Sequence, residues 1–253
     1  MAPLIESVNA LPLETFIDRY IPSYILDRTI SVPYSRSDAS ERESNDNGTE
    51  QEYEDYSVQI HSAASIPERA FEACFALIKL TSSEAYKRSS NGWSPRKKRN
   101  EMKLTDMRYL LLVRKRNSVK SVESPESLSS EKDNDFGGFI SFMTTYEDDV
   151  PVLYCYELHL DPKLQHKGLG KQLMGMFEDI GRDIGLDKTM LTVFKSNKSA
   201  MRFYERMGYV EDEFSPRPVK LRNGRTKDFD YMILSKSLLT NGIGHEQDLR
   251  VVW

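Results

Sequence analysis

The chain has 253 residues, enough for one substantial core with extensions or for two small domains. Hydrophobic residues make up 39% and charged residues 29%, as is usual for a soluble protein with some polar segments. The formal net charge of −4 argues against indiscriminate nucleic-acid binding and is compatible with a cationic substrate. No apolar run is long enough to span a bilayer, and the N-terminus lacks the pattern of a signal peptide.

Four parts are expected along the chain. Residues 1–34 form an N-terminal extension that is partly helical, residues 35–56 an acidic disordered linker, and residues 239–253 a C-terminal tail. Residues 57–238 form one domain, with a serine- and charge-rich insertion at about 117–135 that we also expect to be disordered. Neither polar segment can bury enough apolar surface to offset the entropy of ordering. The acidic linker is either a solvated spacer or a surface that attracts a basic partner.

Within the domain, strands and helices alternate. A strand at 56–62 is followed by a helix that starts near Pro67 and keeps its apolar residues at helical spacing. The further predictions are strands at 107–115, 137–147 and 151–160, a helix at 168–185, a strand at 189–196, a helix at 198–208 and a strand at 228–238. This order predicts an α/β domain in which helices flank a mixed central β-sheet.

Two cysteines, Cys74 and Cys155, lie in apolar runs, which favours buried free thiols in a reducing compartment over a disulfide. The four histidines have no metal-ligand spacing with each other or with the cysteines, so no metal is expected.

The stretch QHKGLGKQLM, residues 165–174, predicts an anion-binding site in the turn that connects a strand to a helix. Gly168 and Gly170 let the backbone approach an anion, and the free N–H groups of a helix N-terminus attract one. The alternative is a plain strand–helix turn. A Walker motif is absent, and a dinucleotide fingerprint would need a glycine where Leu173 stands.

The spacing of Gln165, Gly168 and Gly170 resembles the [R/Q]-x-x-G-x-[G/A] motif of the GCN5-related N-acetyltransferases, the GNAT superfamily. In that family the turn holds the pyrophosphate of acetyl-CoA. A second family motif is matched downstream by Asn197, Ala200, Phe203, Tyr204, Gly208 and Tyr209. The resemblance implies the GNAT fold, acetyl-CoA as co-substrate without a metal, and acetyl transfer to an amine.

A narrower resemblance, over roughly residues 57–238, is to the NatD family of N-alpha-acetyltransferases, which acetylate the N-terminal serine of histones four and two-A. The stretches VLYCYELHLD, KGLGK and MLTVFKSN carry it. It implies a monomeric enzyme of the nucleus and cytoplasm that binds histone N-terminal tails and contacts neither nucleic acid nor membrane. Transfer would be direct in a ternary complex, because neither cysteine has the paired histidine of an acyl-enzyme nucleophile.

The resemblance also implies three groups of site residues. The catalytic residues would be Glu157, Tyr156 and Tyr204. The cofactor would be held by Leu158, His159, Leu160, Gln165, His166, Lys167, Gly168, Leu169, Gly170, Lys171, Thr192 and Asn197. The peptide would lie against Tyr86, Trp93, Tyr154, Ser215 and Tyr231. Which of Glu147, Asp148 and Asp149 reads the arginine of the substrate is left open.

Several roles have an alternative. Glu157 is expected to act as a base with a pKa raised by partial desolvation, or else to be a salt-bridged strand residue. Regular alternation would place it on the face opposite Tyr154 and Tyr156, unless the bulge that this superfamily carries in its fourth strand re-aims it. Tyr204 either protonates the leaving thiolate or packs in the core.

Aromatic and basic residues upstream of that strand are equally open. Tyr86 and Trp93 are either the partly exposed wall of a channel or core aromatics. The basic run PRKKR, residues 95–99, is either a nuclear localisation signal or the solvated face of a helix.

An amine attacks a thioester only when it is neutral. At pH 7.4 an α-amine is about one quarter neutral and a lysine about one thousandth, so N-terminal transfer needs only a modest base. Rival functions are transfer to a lysine or to another protein N-terminus, and a non-catalytic acetyl-CoA-binding module that recognises histone tails.

Overall fold

The computed structural model of the chain describes residues 3–33, 53–115, 135–220 and 222–239. The disorder expected at 35–52 and 117–134, and the tail beyond residue 239, lie outside the described residues. Residues 53–56, assigned to the linker from sequence, are part of a strand instead.

Seven α-helices and ten strands occur in the described parts of the chain. The helices are α1 Leu4–Asn9, α2 Leu13–Tyr20, α3 Ser23–Asp27, α4 Glu68–Arg88, α5 Pro95–Met102, α6 Leu169–Ile184 and α7 Lys198–Arg206. The strands are β1 Thr29–Pro33, β2 Tyr53–Ser62, β3 Arg108–Arg114, β4 Phe136–Glu147, β5 Val150–Leu160, β6 Lys188–Phe194, β7 Val210–Glu211, β8 Val219–Lys220, β9 Thr226–Lys227 and β10 Tyr231–Ser237.

Eight of these strands form one mixed sheet in the order β1-β2-β3-β4-β5-β6-β10-β7, and β8 and β9 form a separate hairpin. The pairing of β5 with β6 is parallel, and the other pairs of the large sheet are antiparallel. Helices cover both faces, as the sequence pattern predicts. This confirms the α/β class with a mixed central sheet flanked by helices.

Each face of the sheet has its own hydrophobic cluster. On one face, α4 and α5 pack on β3 and β4 through residues such as Phe71, Ile78 and Met102. On the other, α6 buries an apolar stripe that includes Leu173, Phe177 and the residues one turn beyond. The stripe repeats every three to four residues, so one side of the helix faces the sheet along its whole length.

The N-terminal segment is part of the same core rather than an appendage. Phe16 is fully buried, and β1 extends the sheet beyond β2. The Arg108 guanidinium donates to the carbonyl of Val8 and to the Asn9 side chain at the end of α1, both at 3.2 Å. It also lies 4.1 Å from the centre of the Phe16 ring. The sequence did not reveal this docking because α1 to α3 are each only five to eight residues long.

Truncation of Phe16 tests the integration of this segment. We expect Phe16→Ala to lower the free energy of unfolding by about 3–5 kcal/mol, because a fully buried ring leaves a cavity. Leu26→Ala in α3, where the side chain is 38% exposed, is the matched control and should change it by less than about 0.5 kcal/mol. Urea unfolding measures both. Equal, small effects would mean that the segment docks without belonging to the core.

Candidate active site

A cleft opens in the sheet where β5 and β6 separate. Their parallel pairing runs from Val152–Lys188 to Cys155–Leu191 and ends there, although β5 continues to Leu160. The backbone of residues 156–160 therefore borders the gap between the two strands on the side of β6. Backbone N–H and C=O groups that lack a strand partner are available to a ligand. Leu158, His159 and Leu160 lie on this edge, as the cofactor prediction requires.

A β-bulge decides which side chains of β5 share a face. Ser141 of β4 pairs with Glu157 and its neighbour Phe142 pairs with Cys155, so Tyr156 is the extra residue of the bulge. Cys155 belongs to the cluster under α6, whereas Tyr156 packs on the α4 side. Glu157 also faces α4, because Tyr86 of that helix hydrogen-bonds its carboxylate. The bulge therefore brings Glu157 to the face of the tyrosines, which regular alternation would have prevented.

The glycine turn lies at one end of this cleft. Gly168 is the N-cap residue of α6 with a φ of 81°, and an added Cβ there would meet no atom within 4 Å. At Gly170 a Cβ would only be in ordinary van der Waals contact with the Phe203 ring, at 3.4 Å, and of the two glycines in this turn only Gly168 has the positive φ that favours glycine. The exposed basic side chains around the turn are those of His166, Lys167 and Lys171. The helix N-terminus, the open space and these side chains together suit an anion.

Some residues assigned to the cofactor have their side chains engaged in the fold. The Gln165 amide donates to the Leu160 carbonyl at 3.2 Å, which ties the turn to the end of β5. The Lys167 ammonium donates to the carbonyl of Pro33.

The side chains of three other residues assigned to the cofactor are engaged as well. The Asn197 side chain caps α7 by accepting from the Ala200 N–H. Thr192 shares a 2.6 Å hydrogen bond with Tyr154 across the cleft. Buried Leu169 packs in the core. Ligand contacts of these residues stay predictions.

Glu157 lies in a buried cluster of charged and polar groups. Its Oε1 accepts from the Lys98 ammonium at 2.7 Å, and its Oε2 lies 2.6 Å from Nε2 of His159. The other ring nitrogen of His159 lies 2.6 Å from the Thr81 hydroxyl. Glu157 and His159 are each 7% exposed and Lys98 is 5% exposed. A buried carboxylate needs such partners, because an unpaired one is expelled or neutralised.

The expectation that Glu157 has a raised pKa is wrong. Burial alone would raise the pKa of its carboxyl, but the hydrogen bond and charge of His159 and the charge of Lys98 lower it to about 2. Lys98 also stays charged. Burial alone would lower the pKa of its ammonium, but the nearby Glu157 carboxylate outweighs burial and raises it. At neutral pH Glu157 is therefore a paired anion and a weak base, and the salt-bridged reading is the one confirmed.

Aromatic rings form a wall beside this cluster. Tyr86 lies 5.6 Å from Trp93 and 5.1 Å from Phe194, ring centre to ring centre, and Tyr154 lies 5.4 Å from Tyr156. Burial raises the pKa of Tyr154 to about 12 and also raises the pKa values of Tyr86 and Tyr156, so these phenols keep their protons at neutral pH. Tyr231 joins the wall through its cross-strand partner Phe194.

Tyr204 and Ser215 are both buried, whereas residues that line a substrate channel would be partly exposed. Tyr204 is 9% exposed, and its ring packs on Phe203 and Tyr209. Burial raises its pKa well above the usual value, so it stays protonated, as a proton donor must. Packing is confirmed for Tyr204, and its catalytic role stays a prediction. Ser215 is buried too, with its hydroxyl accepting from the N–H of Ile233.

Three residues at the site were missed from the sequence. Thr81 and Lys98 hold His159 and Glu157, and Phe194 links Tyr86 to β6. Lys98 sits one helical turn before the buried Met102, so helical spacing could have placed it on the inner face of α5.

The basic run, residues 95–99, is not a simple solvated face of a helix. Lys98 is buried, and Arg99 forms a salt bridge with Glu72 and stacks on the Phe75 ring.

The parallel pair β5 and β6 separates beyond Cys155, and it is followed by a glycine turn and the amphipathic helix α6. Residues 93–209 match the model of the acetyltransferase (GNAT) family. This segment is therefore a GNAT acetyltransferase domain, and the chain has the GNAT fold.

Individual relatives match over shorter stretches. The chain is 31% identical over 100 residues to N-alpha-acetyltransferase 40 of Saccharomyces cerevisiae, covering 32% of this chain and 35% of that protein. It is 34% identical over 93 residues to an uncharacterized N-acetyltransferase of Lactobacillus delbrueckii, covering 37% of this chain and 51% of that protein. The chain thus matches about half or less of the length of these relatives. Among solved structures, the PaiA N-acetyltransferase of Thermoplasma acidophilum, crystallised with coenzyme A, covers 72% of this chain and 99% of its own, with 20% identity and a TM-score of 0.46.

None of the described helices is long and apolar enough to cross a membrane. Within the described residues, no group of three or more His, Cys, Asp or Glu side chains could hold a metal ion. Cys74 and Cys155 are buried free thiols, as predicted.

The ionisation of Glu157 makes a prediction about stability. Its folded pKa is depressed, so its contribution is complete above the unfolded pKa of about 4.3 and is lost as pH falls through the folded value of about 2. We expect Glu157→Gln to lower the free energy of unfolding by about 3 kcal/mol at neutral pH, since Lys98 loses its buried partner. The difference in free energy of unfolding between wild type and Glu157→Gln should become smaller as the pH is lowered from about 5 towards 3.

Urea unfolding at several pH values measures this difference. Glu205→Gln, at an exposed position of α7, is the control and should follow wild type at every pH. A Glu157→Gln variant as stable as wild type, or a difference independent of pH, would contradict the buried ion pair.

Proposed function

We propose that the protein is an acetyl-CoA-dependent acetyltransferase that acetylates the N-terminal α-amine of a protein substrate. The observation that carries the proposal is the end of the β5–β6 pairing at Cys155–Leu191, together with the glycine turn that opens α6 after β5 has ended at Leu160. The GNAT family match over residues 93–209 supports acetyl transfer. The similarity to a yeast N-alpha-acetyltransferase over 100 residues supports an α-amine as the acceptor.

In this proposal acetyl-CoA lies across the cleft with its pyrophosphate at the turn around Gly168. The free N–H groups of the first turn of α6 would bind the phosphates, helped by the surrounding cations. The thioester arm would run along the edge of β5 beyond Cys155, where the strand has no pairing with β6. The acetyl group would then lie near the bulge, beside the Glu157 cluster and the tyrosine wall.

The electrostatics of the site favour an α-amine over a lysine. Glu157 is a weak base, the phenols of Tyr86, Tyr154 and Tyr156 hold their protons, and both ring nitrogens of His159 are engaged. Such a site serves an acceptor that is already partly neutral. An α-amine, with a pKa of about 8, meets this condition, and a lysine, with a pKa of about 10.4, does not.

The substrate we infer is a histone tail that begins Ser-Gly-Arg-Gly, on the strength of the sequence resemblance to the NatD family. The β4–β5 turn offers an acidic group for its arginine. Burial, together with the nearby charges of Asp148 and Asp212, raises the pKa of Glu147. Burial raises the pKa values of Tyr154 and Tyr156 in the aromatic wall, and the Glu147 charge contributes to both shifts. A guanidinium bound there would relieve the repulsion among these carboxylates.

The setting of the enzyme belongs to the same proposal. We infer a monomer of the nucleus and cytoplasm that contacts histone tails and neither nucleic acid nor membrane. Two buried free thiols are consistent with a reducing compartment. The functional unit we propose reaches from residue 4 to residue 238, because the N-terminal helices share the core of the catalytic domain.

A pair of glycine variants tests the pyrophosphate site. Gly168 and Gly185 flank α6 with φ values of 81° and 86°, and neither would bring a Cβ within 4 Å of another atom. Alanine at either position should cost about 1–2 kcal/mol of stability through backbone strain. Only Gly168→Ala should weaken acetyl-CoA binding, by about tenfold or more, because it disturbs the N–H groups aimed at the phosphates. Calorimetry measures both affinities; equal losses would place the cofactor elsewhere.

Turnover of acetyl-CoA on two peptides tests the acceptor. One peptide begins with a free Ser-Gly-Arg-Gly-Lys, and the other is the same peptide with its α-amine already acetylated. We expect acetylation of the free peptide alone. Equal activity on both would move the acceptor to the lysine. Acetyl-CoA binding without turnover on either would favour a binding module or another substrate.

A further inference from the structure

Lys98 is the one member of the basic run 95–99 that is buried. Its ammonium lies 2.7 Å from Oε1 of Glu157, 2.8 Å from the hydroxyl of Tyr86 and 3.0 Å from Oε1 of Glu101. An ammonium has three N–H donors, and these three acceptors use all of them. Lys98 therefore joins three elements at one point: Glu101 is on α5, Tyr86 on α4 and Glu157 on β5.

The two contacts with α4 and β5 belong to different parts of the proposed site. Glu157 faces the acetyl group on the bulged segment of β5, and Tyr86 belongs to the aromatic wall against which the peptide would lie. The Tyr86 hydroxyl is 3.4 Å from Glu157, a distance at the limit of a hydrogen bond, so Lys98 provides the closer link between them. A buried cation held by three acceptors is a fixed charge and not a solvated one.

We propose that Lys98 is a positioning residue for acetyl transfer, which holds the Glu157 carboxylate ionised and in place beside the acceptor amine. This inference rests on the proposed function. When the amine nitrogen bonds to the thioester carbon, the carbonyl π electrons move to the oxygen and positive charge grows on the nitrogen. The carbonyl then re-forms as the C–S bond breaks, coenzyme A leaves as its thiolate, and the proton lost by the nitrogen ends on that sulfur. A fixed carboxylate next to the nitrogen stabilises its positive charge without having to accept the proton. Lys98 keeps the carboxylate in that state and holds Tyr86 against it.

Other groups that face Glu157 could share this task. His159 on β5 binds its second oxygen, and Ser141 on β4 is its cross-strand partner. Burial raises the pKa values of Tyr109 on β3 and Tyr204 on α7, and the Glu157 charge contributes to both shifts. Lys98 differs from all of these because it contacts Glu157 and Tyr86 together.

Steady-state kinetics on the free Ser-Gly-Arg-Gly-Lys peptide tests the proposal in the full chain. We expect Lys98→Met to lower kcat by about a hundredfold with little change in acetyl-CoA affinity, the size of effect that misplacement of a site group produces. Lys98→Arg keeps the charge and should recover part of the loss. Lys97→Met, at the exposed neighbouring position, removes a charge from the same helix and should behave as wild type.

A double-mutant cycle separates positioning from general damage. If Lys98 acts through Glu157, the double variant Lys98→Met/Glu157→Gln should be no slower than Glu157→Gln alone. The double variant leaves no unpaired charge of the pair, so it keeps the comparison readable if Lys98→Met fails to fold. Losses that simply multiply in the double variant would overturn the proposal.

A spectroscopic readout is independent of turnover. The ¹³C signal of the Glu157 carboxyl, assigned by its loss in Glu157→Gln, should not titrate in wild type between about pH 3 and 8, whereas an unpaired glutamate titrates near pH 4.3. In Lys98→Arg, which retains the charge in a different geometry, or in Lys98→Met, its titration should move upward. An unchanged titration in both variants would overturn the role of Lys98. A wild type inactive on every peptide, with the carboxyl signal as expected, would instead count against the proposed function.

Discussion

The separation of β5 from β6 is the constraint on which the rest of the site depends. Two parallel strands that paired along their full length would bury their edges in each other and leave no backbone for a ligand. Here the pairing ends at Cys155 and Leu191, and the chain uses the opened edge of β5 on one side and the N-terminus of α6 beyond it. Both are backbone features. The side chains in the turn mainly hold this geometry, as Gln165 does through the Leu160 carbonyl.

The bulge at Tyr156 gives the same strand its chemical character. It shifts the register against β4 by one residue, so that Cys155 stays in the core under α6 while Glu157 faces α4. There the carboxylate meets a lysine and a histidine that keep it ionised. The result is a site with fixed charge and no strong base. Such a site suits an acceptor amine that is already partly neutral at neutral pH, as an α-amine is. In the proposed function, the bulge in β5 therefore influences which amine is acetylated.

Periodicity and motif spacing predicted much of the fold. The strands β3, β4, β5, β6 and β10 and the helices α4, α6 and α7 lie within a few residues of their predicted bounds, because each has a long apolar stripe or run. The glycine turn was found because its φ of 81° at Gly168 demands a residue type that is visible in sequence. The short helices α1 to α3 were specified only as a partly helical extension, since their stability comes from docking on Arg108 and the sheet.

The electrostatics of the site were not predictable in the same way. The pKa of Glu157 depends on Lys98, which is 59 residues away along the chain, and on His159. Sequence spacing shows that a lysine lies on a short helix, but not that the helix brings it against a strand in the middle of the sheet. The sequence correctly predicted that tyrosines lie near the Glu157 carboxyl, but it did not show that the Lys98 ammonium also contacts it. Paired charge outweighed burial.

In the function proposed above, acetyl transfer depends on the neutral fraction of the acceptor amine and not on a base of the protein. The most direct test is the pH dependence of kcat/KM on two peptides that differ only in their first residue, serine in one and the less basic 3-fluoroalanine in the other. We expect log kcat/KM to rise with pH and to level off at the α-amine pKa of each peptide, so that the inflection moves with the substrate. An inflection at the same pH for both peptides would reveal an ionising base on the protein and contradict the proposed mechanism.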